Sequence, residues 1–259
     1  MATDTSTAAV DWRAWLRRWD AQQGGYLPAR EGRFAAMLDA LGVLLPAAFV
    51  AVDLCAGPGS LSQRLLARFP AARCLAVDKD PALLAMGQAV LGDAGGRLRW
   101  VDADLLAPDW AAALGVEQVD AVLSTTALHW LTADQLMRVY RRLGALVRPG
   151  GVFLNGDHLR YGPHLPRFRQ VADAVKTARR EAAHQQQGVE TWEDWWAALA
   201  REPGAAALLA ERERRFAGRT REGINPGYDF QAGALREAGF VEVDVLWQDL
   251  DNRVLMAVR

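Results

Sequence analysis

The stretch "VAVDLCAGPGSLS" at residues 50–62 ends an apolar run in Asp53 and follows it with Gly57 and Gly59. Glycines there let a backbone approach a ligand closely, and Asp53 adds a negative charge to the turn. A dinucleotide fingerprint reads G-x-G-x-x-G, and its third glycine is here Ser62. No lysine follows, as a phosphate-binding P-loop requires. A carboxylate in the turn is a poor neighbour for a pyrophosphate and a good one for a cationic ligand, directly or through water. Asp78 ends a second apolar run, "CLAVD", where an acidic residue can accept both hydroxyls of a ribose. Asp104 in "WVDADLL" could accept a hydrogen bond from an adenine amino group, with Leu105 covering the ring; Asp102 has the same facing. His129 and His158 follow the fourth and fifth apolar runs. An imidazole titrates near neutrality, which suits a general base and equally a group that only shapes a pocket.

These residues need a scaffold. From about residue 48, "FVAVDL", "RCLAVD", "RLRWVDA", "VDAVLS" and "GVFLNG" read as strands. Helical patterns "GSLSQRLLARF", "PALLAMGQAVL" and "TADQLMRVYRRLGALV" lie between them, with a short helix "DWAAAL" before the fourth strand. Continuous apolar strands alternating with helices predict an α/β fold, a doubly wound and mostly parallel Rossmann-like sheet covered on both faces. Thr132 and Gln135 have capping-box spacing. "VEVDVLWQDL" and "DNRVLMAVR", joined at Asp251 and Asn252, predict a C-terminal antiparallel hairpin. That makes a sheet of seven strands, with an antiparallel strand at its end. Ligands of such sheets bind beyond the carboxyl ends of the strands, near the first strand, where the Gly57–Gly59 loop falls.

Two further segments belong to the same single domain, 1–259. In "VDWRAWLRRWDAQQ", Trp12, Trp15, Leu16 and Trp19 share one helical face. The loop "GGYLPA" leads to a second helix, "REGRFAAMLDALGVLL", and residues 1–46 are expected to lie over the site. Residues 158–228 exceed a crossover helix of about twenty residues and are helical by pattern. They are read as a lid inserted over the carboxyl edge of the sheet.

The runs "VDLCAGPGSLS", "AVDKDPALLAMG", "VDADLL", "VLSTTALHWL" and "VRPGGVFL" together resemble the class I S-adenosylmethionine-dependent methyltransferases. Within that class, "REGRF", "VDADLLAPDW" and "STTALHWL" are most similar to the trans-aconitate methyltransferase type. S-adenosylmethionine carries an ammonium and a sulfonium, the cations an acidic turn would suit. The resemblance implies a cofactor site of Asp53, Ala56, Gly57, Gly59, Asp78, Lys79, Asp104, Leu105 and Ser124, with Arg33 near the cofactor carboxylate. Cys55 stands where the family often has glycine. Tyr26, His129, Trp130 and Trp196 are the expected acceptor contacts, and His129 and His158 the candidate catalytic groups. The expected activity is methyl transfer to an oxygen, nitrogen or carbon nucleophile, carboxylates and aromatic hydroxyls included. A protein that binds the cofactor without transferring its methyl group is the alternative, and an NAD-dependent oxidoreductase a remoter one.

A net charge of -1 gives no basic footprint for nucleic acid, so a small-molecule partner is expected. No apolar stretch of about 18 residues points to a membrane span. "MATDTSTAAVDW" lacks the charged and apolar regions of a signal peptide. Cys55 and Cys74 have no metal-ligand spacing, so no metal is expected, and they fit a reducing cytoplasm. Trp192, Trp195 and Trp196 could line an aromatic substrate site or simply pack helices together. In "ERERRFAGRTR" glutamates interleave the arginines, as on a solvated helix face.

Overall fold

The computed structural model describes residues 10–27, 29–218 and 226–259. The leader reading and the end of the arginine-rich stretch fall on 1–9 and 219–225, outside the described residues. Two helices, α1 (Trp12–Tyr26) and α2 (Arg30–Leu44), precede an alternating series. That series is β1 (Val50–Leu54), α3 (Ser60–Arg68), β2 (Arg73–Asp78), α4 (Pro81–Leu91), β3 (Leu98–Asp102), β4 (Val119–Thr125), α5 (Ala133–Leu146) and β5 (Val147–His158). The insertion holds α6 (Pro166–Gln187), α7 (Trp192–Leu199) and α8 (Ala206–Phe216). Helix α9 (Tyr228–Glu237) leads to the hairpin of β6 (Glu242–Asp249) and β7 (Asn252–Val258).

The strands form one seven-stranded sheet in the order β3-β2-β1-β4-β5-β7-β6. β1 to β5 pair in parallel, and β7 runs antiparallel to both neighbours. The reversed strand therefore lies one place in from the edge, and β6 ends the sheet. Parallel strands need cover on both faces, and their alternating residues supply it. Val52, Leu54 and Val77 meet Leu136, Tyr140 and Leu143 of α5 on one side. Ala51, Ala76 and Leu123 meet Phe34 and Met37 of α2 and Leu65 of α3 on the other. The capping box of Thr132 and Gln135 starts α5 as its spacing predicts.

A third cluster joins α1, α4 and α7 through Trp15, Trp19, Leu83, Met86, Trp195 and Leu199. Trp195 is fully buried, edge-on to Trp15 and Trp19 at centroid distances of 5.5 and 5.1 Å. Most of the tryptophans in this cluster serve packing, and they fasten the insertion to the N-terminal helix. Ion pairs do the same elsewhere: Lys176 of α6 meets Asp251 at 2.7 Å, and Arg215 of α8 meets Asp102 at 2.6 Å.

Three local expectations change. Helix α1 runs through Gly24 and Gly25 to Tyr26 instead of ending in a loop. A Cβ on Gly25 would meet Val189 at 2.9 Å, so the glycine gives the insertion room to approach. "DWAAAL" holds a single 3-10 turn, Ala112–Leu114. β5 begins at Val147, pairs with Val119, and absorbs "RPGG" as an irregularity between two stretches of register.

Candidate active site

The carboxyl ends of β1, β2, β4 and β5 open into a cavity of about 550 Å³. Its floor is the loop after β1, where Cys55, Gly57 and Gly59 all have positive φ, at 55°, 56° and 83°. A side chain at such a φ costs roughly 1–2 kcal/mol, so Cys55 stands at a position whose backbone favours glycine. Ala56 and Gly57 line the cavity, while Gly59 lies behind them as the N-cap of α3.

Asp53 is not on the cavity wall. Its carboxylate is fully buried under the loop and accepts from the Ser62 backbone N–H at 3.0 Å and the Ser62 hydroxyl at 2.7 Å. Burial pushes its carboxyl up to about 7, against the pull of those two bonds. A helix N-terminus attracts anions through its free N–H groups. In α3 one of those N–H groups is already given to an internal carboxylate. The residue that breaks the dinucleotide fingerprint, Ser62, is thus the partner of the residue that makes the turn acidic.

Asp78 does face the cavity. Its carboxylate accepts from the N–H groups of Gly57 at 2.7 Å, Lys79 at 2.7 Å and Asp80 at 2.8 Å. A carboxylate has about four acceptor positions, so this arrangement leaves one for a ligand hydroxyl instead of the two expected. Burial raises its carboxyl to about 6 despite the three donors. Lys79, Asp104 and Leu105 stand beside it on the wall. Lys79 Nζ binds Asp104 at 3.0 Å and lies 4.4 Å from the Phe216 ring, so α8 covers this end of the cavity. Arg212 of α8, which the sequence reading missed, binds Asp80 at 2.6 Å and also lines the cavity.

At the far end, His129, Trp130 and His158 line the wall as expected. His129 Nδ1 lies 2.7 Å from Asp157, which also accepts the His129 backbone N–H at 3.0 Å. Asp157, absent from the sequence reading, is fully buried. Burial alone would raise its carboxyl, but His129, His158 and Arg33 hold it well below the usual carboxylate range. Burial pushes the His158 imidazole down, against the attraction of Asp157 and Asp251. Tyr26 lines the cavity, and its hydroxyl accepts from the Trp192 backbone N–H at 3.3 Å.

Besides Asp53 and Gly59, three expected residues lie off the wall. Arg33 is fully buried behind the wall, with Nη1 on Asn252 at 3.0 Å and Nη2 on Thr126 at 2.5 Å. Burial lowers its guanidinium to about 10, still a cation at neutral pH. The residue it holds, Thr126, lines the cavity at a φ of 55°, a strained setting for a β-branched side chain. Arg30, one helical turn before Arg33, is the arginine that reaches the cavity. Ser124 is buried, its hydroxyl donating to the Leu54 carbonyl at 3.0 Å. Trp196 packs under Arg212, 3.8 Å from its guanidinium, and Trp192 takes the place on the wall.

Residues 51–151 match the family described as Methyltransferase domain. The chain is 36% identical over 137 residues to a trans-aconitate 2-methyltransferase of Azoarcus sp. (strain BH72), covering 52% of this chain and 48% of the relative. It is 34% identical over 154 residues to a ribosomal RNA small subunit methyltransferase H of Methylobacterium sp. (strain 4-46), covering 51% and 44%. The chain spans about half the length of the curated relatives it matches. In fold, the chain resembles an O-methyltransferase family protein from Burkholderia thailandensis, with a TM-score of 0.53, 19% identity and coverage of 98% of this chain and 74% of the other. Human N-acetylserotonin methyltransferase in complex with SAM gives a TM-score of 0.54 at 15% identity, covering 96% and 57%.

Proposed function

We propose that this protein transfers a methyl group from S-adenosylmethionine to a small-molecule acceptor. The observation that carries the reading is the pair of carboxylates at the switch point. Asp53 occupies the α3 N-terminus, where a pyrophosphate would have to bind, and Asp78 faces the cavity where a ribose would lie. Together they disfavour a dinucleotide and suit a cationic nucleoside. In this reading Asp78 takes a ribose hydroxyl, and Asp104, Leu105 and Phe216 frame the adenine. The backbone of Ala56 and Gly57, with Arg30, receives the methionyl portion. The bound donor supplies an activated methyl carbon on sulfur, so much of the catalysis is positioning.

His129 is the group we assign to the acceptor. Its Nδ1–H points to Asp157, which leaves Nε2 as the proton acceptor. A buried, ionised Asp157 fixes that tautomer and would stabilise the imidazolium after proton transfer. His158, kept neutral by burial, takes the role of a hydrogen-bonding neighbour. Helices α1 and α7, with α8, act as a lid that excludes water from the cavity. A cavity of about 550 Å³ and a net charge of -1 support a small molecule over RNA as the acceptor. Among the described residues no helix is long and apolar enough to cross a membrane. The two free cysteines support a cytoplasmic setting.

The test is methyl-labelled S-adenosylmethionine offered with panels of small acceptors and with ribosomal RNA. Label in a small molecule supports the reading. Label only in RNA, or tight cofactor binding with no transfer to any acceptor, overturns it.

A further inference from the structure

We infer that helix α8 is the gate through which the methyl donor enters the cavity and its product leaves, with Arg212 and Arg215 as the latch that sets the rate of exchange. The gate rests on the methyl-transfer reading and adds a moving part to it: the end of α8 swings for the nucleoside while α7 keeps its packing on α1.

The two ends of α8 are held by different forces. Just before the helix, Ala205 is buried in the tryptophan cluster of α1, α4 and α7, and Leu209 of the first turn packs against that cluster. Within α8 every side chain is half-buried or exposed. Helix α7, by contrast, buries Trp195 and Leu199. A segment that buries little apolar surface opens at low cost in free energy. The far end of α8 is held by charge. Arg212 binds Asp80 at 2.6 Å, and Arg215 binds Asp102 at 2.6 Å. Arg215 also donates to the Lys79 carbonyl at 3.0 Å, and Lys79 Nζ donates back to the Arg215 carbonyl at 3.2 Å. Glu211, one turn earlier, accepts from Arg215 Nε at 2.7 Å and steadies its guanidinium. The partners of this latch are Lys79 and Asp80, directly after Asp78, and Asp102 at the end of β3.

The latched end is also the end that closes the cavity. Arg212 and Phe216 belong to its wall, with Lys79, Asp80 and Asp104 beside them. Swinging this end of α8 outward therefore opens the wall where the nucleoside would lie, and the histidines, on other elements, stay in place. Little else has to break. The Asp102 side chain is 52% exposed, and an ion pair so solvated holds weakly and is screened by salt. Asp80 keeps the N–H groups of Ala82 and Leu83 when Arg212 leaves, so α4 retains its N-cap. Arg212 stacks on Trp196 of α7 at 3.8 Å, which makes the opening visible in tryptophan fluorescence. Arg215 acts on the helix and not on the ligand. Weakening it should therefore speed entry and exit by the same factor.

Stopped-flow tryptophan fluorescence with S-adenosylhomocysteine measures the association and dissociation rates separately. We expect Arg215→Ala to raise both about 3- to 10-fold while Kd stays within about twofold. Arg215→Lys keeps the charge and should restore exchange to within about threefold of the unmodified protein. Raising NaCl from about 50 to about 500 mM should speed exchange in the unmodified protein and much less in Arg215→Ala. A helix as short as α8 frays once detached. In the ligand-free protein, Arg215→Ala should therefore speed amide hydrogen exchange in 206–216 and leave 192–199 unchanged. Dissociation that rises alone, with Kd weakened in proportion, makes Arg215 a simple binding contact and overturns the gate. So do rates equal to those of the unmodified protein, or amide exchange that rises equally in both helices. Failure of S-adenosylhomocysteine to bind the unmodified protein is a different result: it removes the methyltransferase reading, and the amide exchange of the ligand-free protein still decides whether α8 opens against its latch.

Discussion

Ser62→Ala isolates the contact that sets the acidic floor of the site. The change removes a hydroxyl that donates to Asp53 at 2.7 Å and leaves the carboxylate with the Ser62 N–H at 3.0 Å. A hydrogen bond to an ionised group contributes roughly 1.5–3 kcal/mol, and one to a neutral group about 0.5–1.5 kcal/mol. Which figure applies depends on pH. The Asp53 carboxyl sits at about 7 in the fold, and at about 3.9 in the unfolded chain. The folded state therefore holds a proton that the unfolded state has released, and this contribution to stability is lost as pH rises from about 4 through about 7. Without the hydroxyl the folded value climbs further, so in the variant the loss extends to higher pH. The cost of Ser62→Ala should thus be about 1 kcal/mol at pH 5.5 and grow to roughly 2–3 kcal/mol at pH 8.5. Urea unfolding followed by tryptophan fluorescence at both pH values measures it. An equal cost at the two pH values, or one that shrinks as pH rises, refutes the reasoning, because it means that Asp53 does not titrate in this range.

Three further outcomes follow from the same geometry. His129→Gln keeps a hydrogen-bonding amide and loses the base. If proton transfer to Nε2 is needed, the single-turnover rate falls about 10²–10⁴-fold and the pH dependence of the wild type flattens; a near-normal rate with the same profile assigns His129 to positioning alone. Amide hydrogen exchange should be faster in α6 to α8 than in β1 to β5 and slow in α7 when S-adenosylmethionine and acceptor are both bound; equal protection without ligand argues against a moving lid. Gly87→Ala should lower stability by about 1–3 kcal/mol, since its Cβ would lie 2.2 Å from Trp100 and 2.9 Å from the Pro58 carbonyl; an unchanged unfolding midpoint would show that Trp100 can move aside.

The sheet was legible because its strands are apolar on both faces and its helices carry periodic stripes, so period and length agreed at nearly every element. Periodicity places a helix face but does not choose between residues on it. Arg30 and Arg33 share the inner face of α2, and only packing against β5 and β7 decides that Arg30 reaches the cavity and Arg33 holds Thr126. Trp192 and Trp196 are likewise one turn apart, and Arg212 stacking on Trp196 takes that ring off the wall. Asp53 was readable as an acid in a turn, but its partner lies nine residues on, across a strand end and into a helix. A serine where the fingerprint wants glycine was the available signal. Asp157 had a signal too, an acidic residue beside a strand-end histidine. Its pairing with His129 is a contact between neighbouring strand ends, which the sequence alone does not order. The hairpin was legible as a hairpin, but which of its strands joins β5 depends on how α9 crosses the sheet.

The account depends most on Asp78 holding the nucleoside of S-adenosylmethionine in this cavity. Isothermal calorimetry of the wild type and Asp78→Ala with S-adenosylmethionine, alongside NADH, tests that directly, with circular dichroism confirming that both proteins are folded. The account predicts one-to-one binding of S-adenosylmethionine by the wild type and no binding of NADH. Removing Asp78 takes away both a ligand acceptor and the anchor of the Gly57 N–H, so affinity should fall about 10- to 100-fold. Wild-type binding of NADH in preference to S-adenosylmethionine, or an unchanged S-adenosylmethionine affinity in folded Asp78→Ala, would contradict it.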